Sequence, residues 1–155
     1  VITMTDVRAR LDAEEVDYEN AKKLGTAAIP FLMELVQGQD LGLASKATYL
    51  ASLINTEQST TVLEMAVARN EPVLRVAAAS GIRNLPEVQA ERLLDLLSKD
   101  PDAGIRKVVL KSAQQFRSLE VQEKLQTMAE NDPEPFVCEL AGSIVKEMKS
   151  KRQAP

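Results

Sequence analysis

Between Pro72 and Leu85 the chain reads PVLRVAAASGIRNL, and its apolar or small residues Leu74, Ala78, Ile82 and Leu85 recur at steps of three and four. That spacing lines one stripe of an α-helix, so the segment predicts a helix with one buried side. Asn70 is placed to cap it, Pro72 is tolerated in a first turn that needs no N–H, and Pro86 restarts the chain. The same pattern returns along the sequence. Ile105-Arg106 lies 31 residues after Leu74-Arg75 and belongs to AGIRKVVLKSAQQF, Leu43 lies 31 before Leu74, and Val137 lies 32 after Ile105. Four copies at near-constant spacing predict a stack of helix pairs, each burying its apolar stripe against its neighbours.

The remaining elements follow from the same periodicity. A short helix from Thr5 to Leu11, capped by Thr5, places Val7 and Leu11 on one side. Asp12 and Glu15 have the spacing of a second helix start, which Gly25 ends after Val16, Ala21 and Leu24. Val1-Ile2-Thr3 is read as preceding a native start at Met4 and takes no part in the expected fold. Thr26 is expected to cap Ala27–Gln37, whose stripe is Ile29, Leu32, Leu35 and Val36, and Leu41–Ile54 is its partner. Thr56 opens a helix carrying Val62, Leu63 and Met65 to Val67, paired with the Pro72 helix. Glu87–Ser98 pairs with Asp102–Phe116, and Ser118–Glu130 with Glu134 to about Lys149. Asp100-Pro101 and Asp132-Pro133 are expected to cap the second helix of each of these last two pairs. The expectation is one all-α domain over 1–155, with an N-terminal cap at 1–23, repeats at 24–54, 56–85, 87–116 and 118–149, and a disordered polar tail at 150–155.

Leu74-Arg75 followed by Ala78, Ala79 and Ile82, together with Ile105-Arg106 and Asp100-Pro101, resembles HEAT repeats, in particular the short bacterial HEAT-like type also found in phycobiliprotein lyases. The resemblance covers about four units, from residue 24 to 148. It implies a right-handed α-solenoid of antiparallel helix pairs whose second helices line the concave face. It also implies a ladder between units, made by an Asp in the turn and an Arg early in the second helix. Asp100 and Arg106 supply both members. Arg75 has Arg69 where its own Asp would stand, and Asp132 faces Cys138 where an Arg would stand. A ladder across units remains open, with Asp100 reaching Arg75 and Asp132 reaching Arg106.

Composition narrows the chemistry. The chain holds 45% hydrophobic residues, only 3% aromatics and no Trp, which suits close helix packing. A net charge of −4 argues against a protein that coats nucleic acid. With no His at all there is no Ser-His-Asp or Cys-His site, and no imidazole for zinc or iron. No enzymatic activity and no cofactor are expected. Cys138, the single cysteine, makes no internal disulfide. No segment approaches the roughly 18 apolar residues of a membrane span, no signal-peptide pattern is present, and the expected compartment is the cytoplasm. The carboxylates at 100, 102, 132 and 134 sit at helix starts, where capping and the macrodipole account for them. The glycines form no phosphate loop, and Gly81 and Gly142 are expected to permit close helix approach.

One surface is left. The repeat offset aligns three rows on the second helices, expected on the concave side: Ser45, Val76, Lys107 and Glu139; Tyr49, Ser80, Lys111 and Ser143; and Ser52, Arg83, Gln114 and Lys146. Basic residues outnumber acids here in an acidic protein. The sequence therefore predicts a non-enzymatic adaptor that binds a protein partner, with an acidic segment as the expected ligand, through Tyr49, Arg83, Lys107, Lys111 and Lys146. Tyr49 would be the anchor. The alternatives are a solvated face with no ligand and, from the resemblance, an accessory subunit of an enzyme that works with a partner chain and a bilin. Nucleic-acid binding ranks below both.

Overall fold

The computed structural model describes residues 1–54 and 56–153. Among them are ten α-helices and no strand. The leader forms α1 (Met4–Leu11) and α2 (Tyr18–Ala21), followed by two 3₁₀ turns, Lys22–Leu24 and Thr26–Ala28. Four pairs follow: α3 (Ile29–Val36) with α4 (Leu41–Leu53), α5 (Glu57–Ala68) with α6 (Pro72–Gly81), α7 (Glu87–Leu97) with α8 (Ala103–Ala113), and α9 (Leu119–Asn131) with α10 (Pro135–Gln153). Second helices pack side by side, α4 on α6, α6 on α8 and α8 on α10, while α3 packs on α5 and α5 on α7. The result is a two-layer helical solenoid. Its buried aliphatic residues form one cluster that runs from Val7 through Leu50, Leu74, Leu94 and Leu110 to Met148.

Several helix ends differ from the sequence reading, each for a local reason. Thr3, not Thr5, caps α1: its hydroxyl accepts from the Asp6 N–H while the Asp6 carboxylate accepts from the Thr3 N–H, a reciprocal capping box. Ile2 packs against the core and Thr3 caps α1, so residues 2 and 3 belong to the fold. Asp12 closes α1 instead of opening α2, and the cap of α2 is Asp17, whose carboxylate accepts from the Asn20 N–H. Thr26 makes no cap bond. Asn70 is no cap either; it follows α5 with φ +59, the left-handed conformation that Asn tolerates at a helix end. The central helix tightens after Gly81 into a 3₁₀ turn, Ile82–Asn84. Asp40, which the pattern reading passed over, caps α4 through the Leu43 N–H. At the C-terminus, residues 150–153 continue α10 as helix, in place of the expected disordered tail; residues 154 and 155 lie outside the described range.

Candidate interaction surface

The turns inside the repeats carry the charged ladder. Asp100 is not the cap of α8. Asp102 is, and its carboxylate accepts from the Gly104 N–H at 2.7 Å. Asp100 instead ties the turn by accepting from the Asp102 N–H at 2.9 Å, and its other oxygen takes the Arg75 Nε–H of the preceding repeat at 2.8 Å. Asp132 repeats this arrangement one unit on, accepting from the Glu134 N–H and from Nε and Nη2 of Arg106 at 2.8 and 2.9 Å. Both rungs therefore run across units. Their side chains are nearly closed off from solvent: 13% and 2% exposed for Arg75 and Asp100, 8% and 4% for Arg106 and Asp132. Burial works to raise the Asp132 carboxyl, but the hydrogen bonds from Arg106 and the Glu134 N–H, with the Arg106 charge, hold it below its ordinary value. The same hydrogen bond pushes Arg106 upward against the opposing effect of burial.

Where the ladder residues change, the contact survives in another form. Arg69 occupies the register of Asp100 and donates Nη1 to the carbonyls of Val36 and Gly38, so it serves the C-terminal end of α3 in the preceding repeat. Cys138 occupies the register of Arg106. Its thiol donates to the Asp132 carbonyl at 3.0 Å, just as Arg106 Nη1 donates to the Asp100 carbonyl at 2.8 Å. That makes Cys138 part of the turn packing. Two grooves of about 650 and 730 Å³ open along this edge, between α7 and α9 and between α5 and α7, with the two ion pairs among their lining residues. Their outer charges are already paired, Arg92 with Glu64 and both Lys99 and Lys124 with Asp95.

The second-helix face is where the remaining predicted residues lie. Lys107, Lys111 and Lys146 are exposed, and among the described residues none of them lies within ion-pair distance of a carboxylate. Arg83 is exposed too, but its guanidinium donates to the Ser80 carbonyl and the Ser112 hydroxyl. Tyr49 is not an open anchor. It is half-buried, its ring set edge-on against Tyr18 of the leader with centroids 4.9 Å apart. Ser52 drops out of its row altogether, because it is buried under Asn84, which donates to its hydroxyl, and against the backbone of Gly81. The leader covers the N-terminal end of this face in the same way, since Lys46 donates to the Leu11 and Ala13 carbonyls at the end of α1.

Sequence reasoning missed a fourth row, one helical turn before the first. Gly42, Val73, Gly104 and Phe136 share one register in α4, α6, α8 and α10. Val73 and Phe136 are 43% and 45% exposed, and Val76, a turn further along α6, is 39% exposed. The repeat offset alone would have found this row.

The chain is by these features a helical solenoid of stacked helix pairs. One solved structure it is similar to is a chain in the complex of CpcE and CpcF of phycocyanin lyase from Nostoc sp. PCC7120. The likeness has a TM-score of 0.72 at 20% sequence identity and covers 91% of this chain and 96% of that one. At that identity the likeness is one of fold. No family model matches the chain. No curated protein matches it. Among the described residues no helix is long and apolar enough to cross a membrane, and no group of three or more Cys, Asp or Glu is placed to hold a metal ion.

Proposed function

We propose that this protein is a non-enzymatic protein-binding subunit that acts by pairing with another chain, and that its partner docks on the second-helix face. The observation that carries the reading is the unpaired state of Lys107, Lys111 and Lys146 on one continuous helical face, while the turn-edge charges are satisfied internally. Such a face favours an acidic partner segment through its summed field. The form of pairing best supported is that of an accessory subunit of an enzyme, because the similar solved chain belongs to a complex of two proteins of a lyase. A free-standing adaptor is the second reading, supported by the same lysines.

The two separate in one experiment. The tagged chain is purified from its native host, its co-purifying protein is identified, and bilin is added to the isolated chain and to the pair while absorbance is followed. An accessory subunit gives a bound chromophore only as the pair, and an adaptor gives none in either state. Covalent bilin attachment by the isolated chain would overturn the non-enzymatic reading, and retention of the partner by the Lys107→Glu/Lys111→Glu variant would remove the second-helix face from it.

A further inference from the structure

The two turn-edge grooves are built alike, and one of them keeps a free donor. At the groove between α7 and α9, Arg106 spends its whole guanidinium: Nε and Nη2 donate to Asp132 and Nη1 to the Asp100 carbonyl. At the groove between α5 and α7 stands Arg75, one repeat earlier in the same register. It donates Nε to Asp100 and Nη1 to Asn70 Oδ1, and its Nη2 has no acceptor among the described residues. No side-chain nitrogen or oxygen of the described residues is buried without a partner, so Nη2 meets solvent, and Arg75 lines the groove. The rest of that groove is largely apolar. Leu93 and Leu97, both core residues, line it with Val67 and with Leu96, which is 52% exposed. A volume of about 730 Å³, apolar walls and a few placed polar groups are the features of a small-molecule site.

From this geometry we infer that the groove between α5 and α7 binds a small amphipathic carboxylic acid, whose carboxylate accepts from Arg75 Nη2 while its apolar body lies along Leu93, Leu96 and Leu97. The site is separate from the second-helix face and does not depend on what docks there. A guanidinium only donates, so the matching group on the ligand is an acceptor, and a charged one gives the stronger bond. Arg92 and Lys99 also line the groove and favour an anion over a neutral acceptor. Their own pairs are loose, with Glu64 at 3.5 Å and Asp95 at 3.8 Å, and their side chains are 79% and 75% exposed. Such pairs contribute little and yield to a ligand at small cost. Asp100 does not stand in the way as a free acid, because one oxygen is held by Arg75 Nε and the other by the Asp102 N–H.

The test is a titration of the ¹⁵N-labelled full chain with decanoate, kept below micelle formation, followed by amide chemical shifts, with decanol and decylammonium as matched controls. Arg75 is left intact because it holds a rung. The variants are Leu96→Asp and Arg92→Glu/Lys99→Glu, all at exposed positions, and Lys107→Glu/Lys111→Glu on the other face, each with its melting curve checked. The expected result is a saturable shift confined to residues 64–75 and 92–101. Decanol should bind roughly tenfold or more weakly, the scale of one charge-assisted hydrogen bond, and decylammonium weaker still. Either groove variant should weaken decanoate by a similar factor, and the Lys107→Glu/Lys111→Glu variant should leave it unchanged. Shifts of equal size in the groove between α7 and α9, where Arg106 has no donor to spare, would overturn the inference. So would equal binding of decanol, insensitivity to both groove variants, loss of binding in Lys107→Glu/Lys111→Glu, or the absence of saturable shifts. Tighter binding of a short apolar peptide with a free C-terminus would overturn it too, by giving the groove to a chain end instead of a small acid.

Discussion

Single residues in this protein act mainly across repeat boundaries. Asp100 and Asp132 are buried carboxylates whose charge is met by an arginine from the unit before. Removing one partner leaves the other buried and uncompensated, so Arg75→Ala and Arg106→Ala are expected to lower stability by about 3–5 kcal/mol. Urea unfolding checks this, and losses near half a kcal/mol would show that water reaches the rungs. The acid side has its own signature. Because the folded carboxyl of Asp132 lies below its ordinary value of 3.8, the stabilisation it gives is complete above that value and fades as pH falls through the lower folded one. The stability gap between wild type and Asp132→Asn should therefore close in strong acid. The upward shift of Arg106 has no consequence at neutral pH, since its charge would be lost only in extreme alkali. The two glycines read as close-approach sites also part company. A Cβ on Gly81 would lie 2.8 Å from Ser52 Cβ and 3.3 Å from Leu63 Cδ2, whereas at Gly142 the nearest atom is Ala129 Cβ at 4.0 Å. Gly81→Ala should cost about 1–3 kcal/mol by forcing α6 off α4. Gly142→Ala should be neutral or stabilising by up to about 1 kcal/mol, from helix propensity.

At the scale of elements, the apolar stripes decided which segments are helical and the side-chain caps decided where they stop. The stripes were legible because burial needs a period near 3.6, and the core positions of α3, Ile29, Leu32, Leu35 and Val36, were read directly from it. Leu94 is 1% exposed, and Leu94→Ala is expected to cost about 2–5 kcal/mol by chemical denaturation. Caps were less legible, because several Asp, Thr or Asn residues compete near each start and the tertiary path selects one. Asp17 won over Asp12, and Asp102 over Asp100, which the ladder had already claimed. Thr3→Ala should weaken α1 by roughly 0.5–2 kcal/mol through loss of the capping box, read as faster amide exchange in residues 4–7. Glu87, at the start of α7, accepts from the Arg117 and Ser118 N–H groups at the entrance to α9. Nothing in its own helix pattern marks that role.

As a whole molecule, the stack has no part that buries its stripe alone. The single aliphatic cluster and the cross-repeat bonds predict that the array unfolds as one cooperative unit. Far-UV circular dichroism and Cys138 reactivity followed through the same urea titration should give coincident transitions; separate midpoints would mean that the leader or the last pair comes apart independently. Polar side chains finish the C-terminal end: Gln122 accepts from Arg152 near the end of α10, and Arg152 also donates to the Arg117 carbonyl. Together with the i,i+4 pair of Lys151 and Glu147, that contact ties down the end of α10, although the polarity of residues 150–153 alone reads as tail.

By itself the sequence determined the helical period, the spacing of the copies, the aliphatic core, and the absence of imidazole chemistry, because each of these is a property of order and residue type along one chain. The offset arithmetic placed the exposed lysines of α8, while the rungs came from the family resemblance, which left open whether they run within or across units. Only the tertiary structure decided which Asp serves as cap and which as rung, that Tyr49 is occupied by Tyr18, and that Ser52 is buried under Asn84. These depend on which surfaces of different repeats meet, and a contact between residues some thirty positions apart is set by the packing of helices, not by any local pattern.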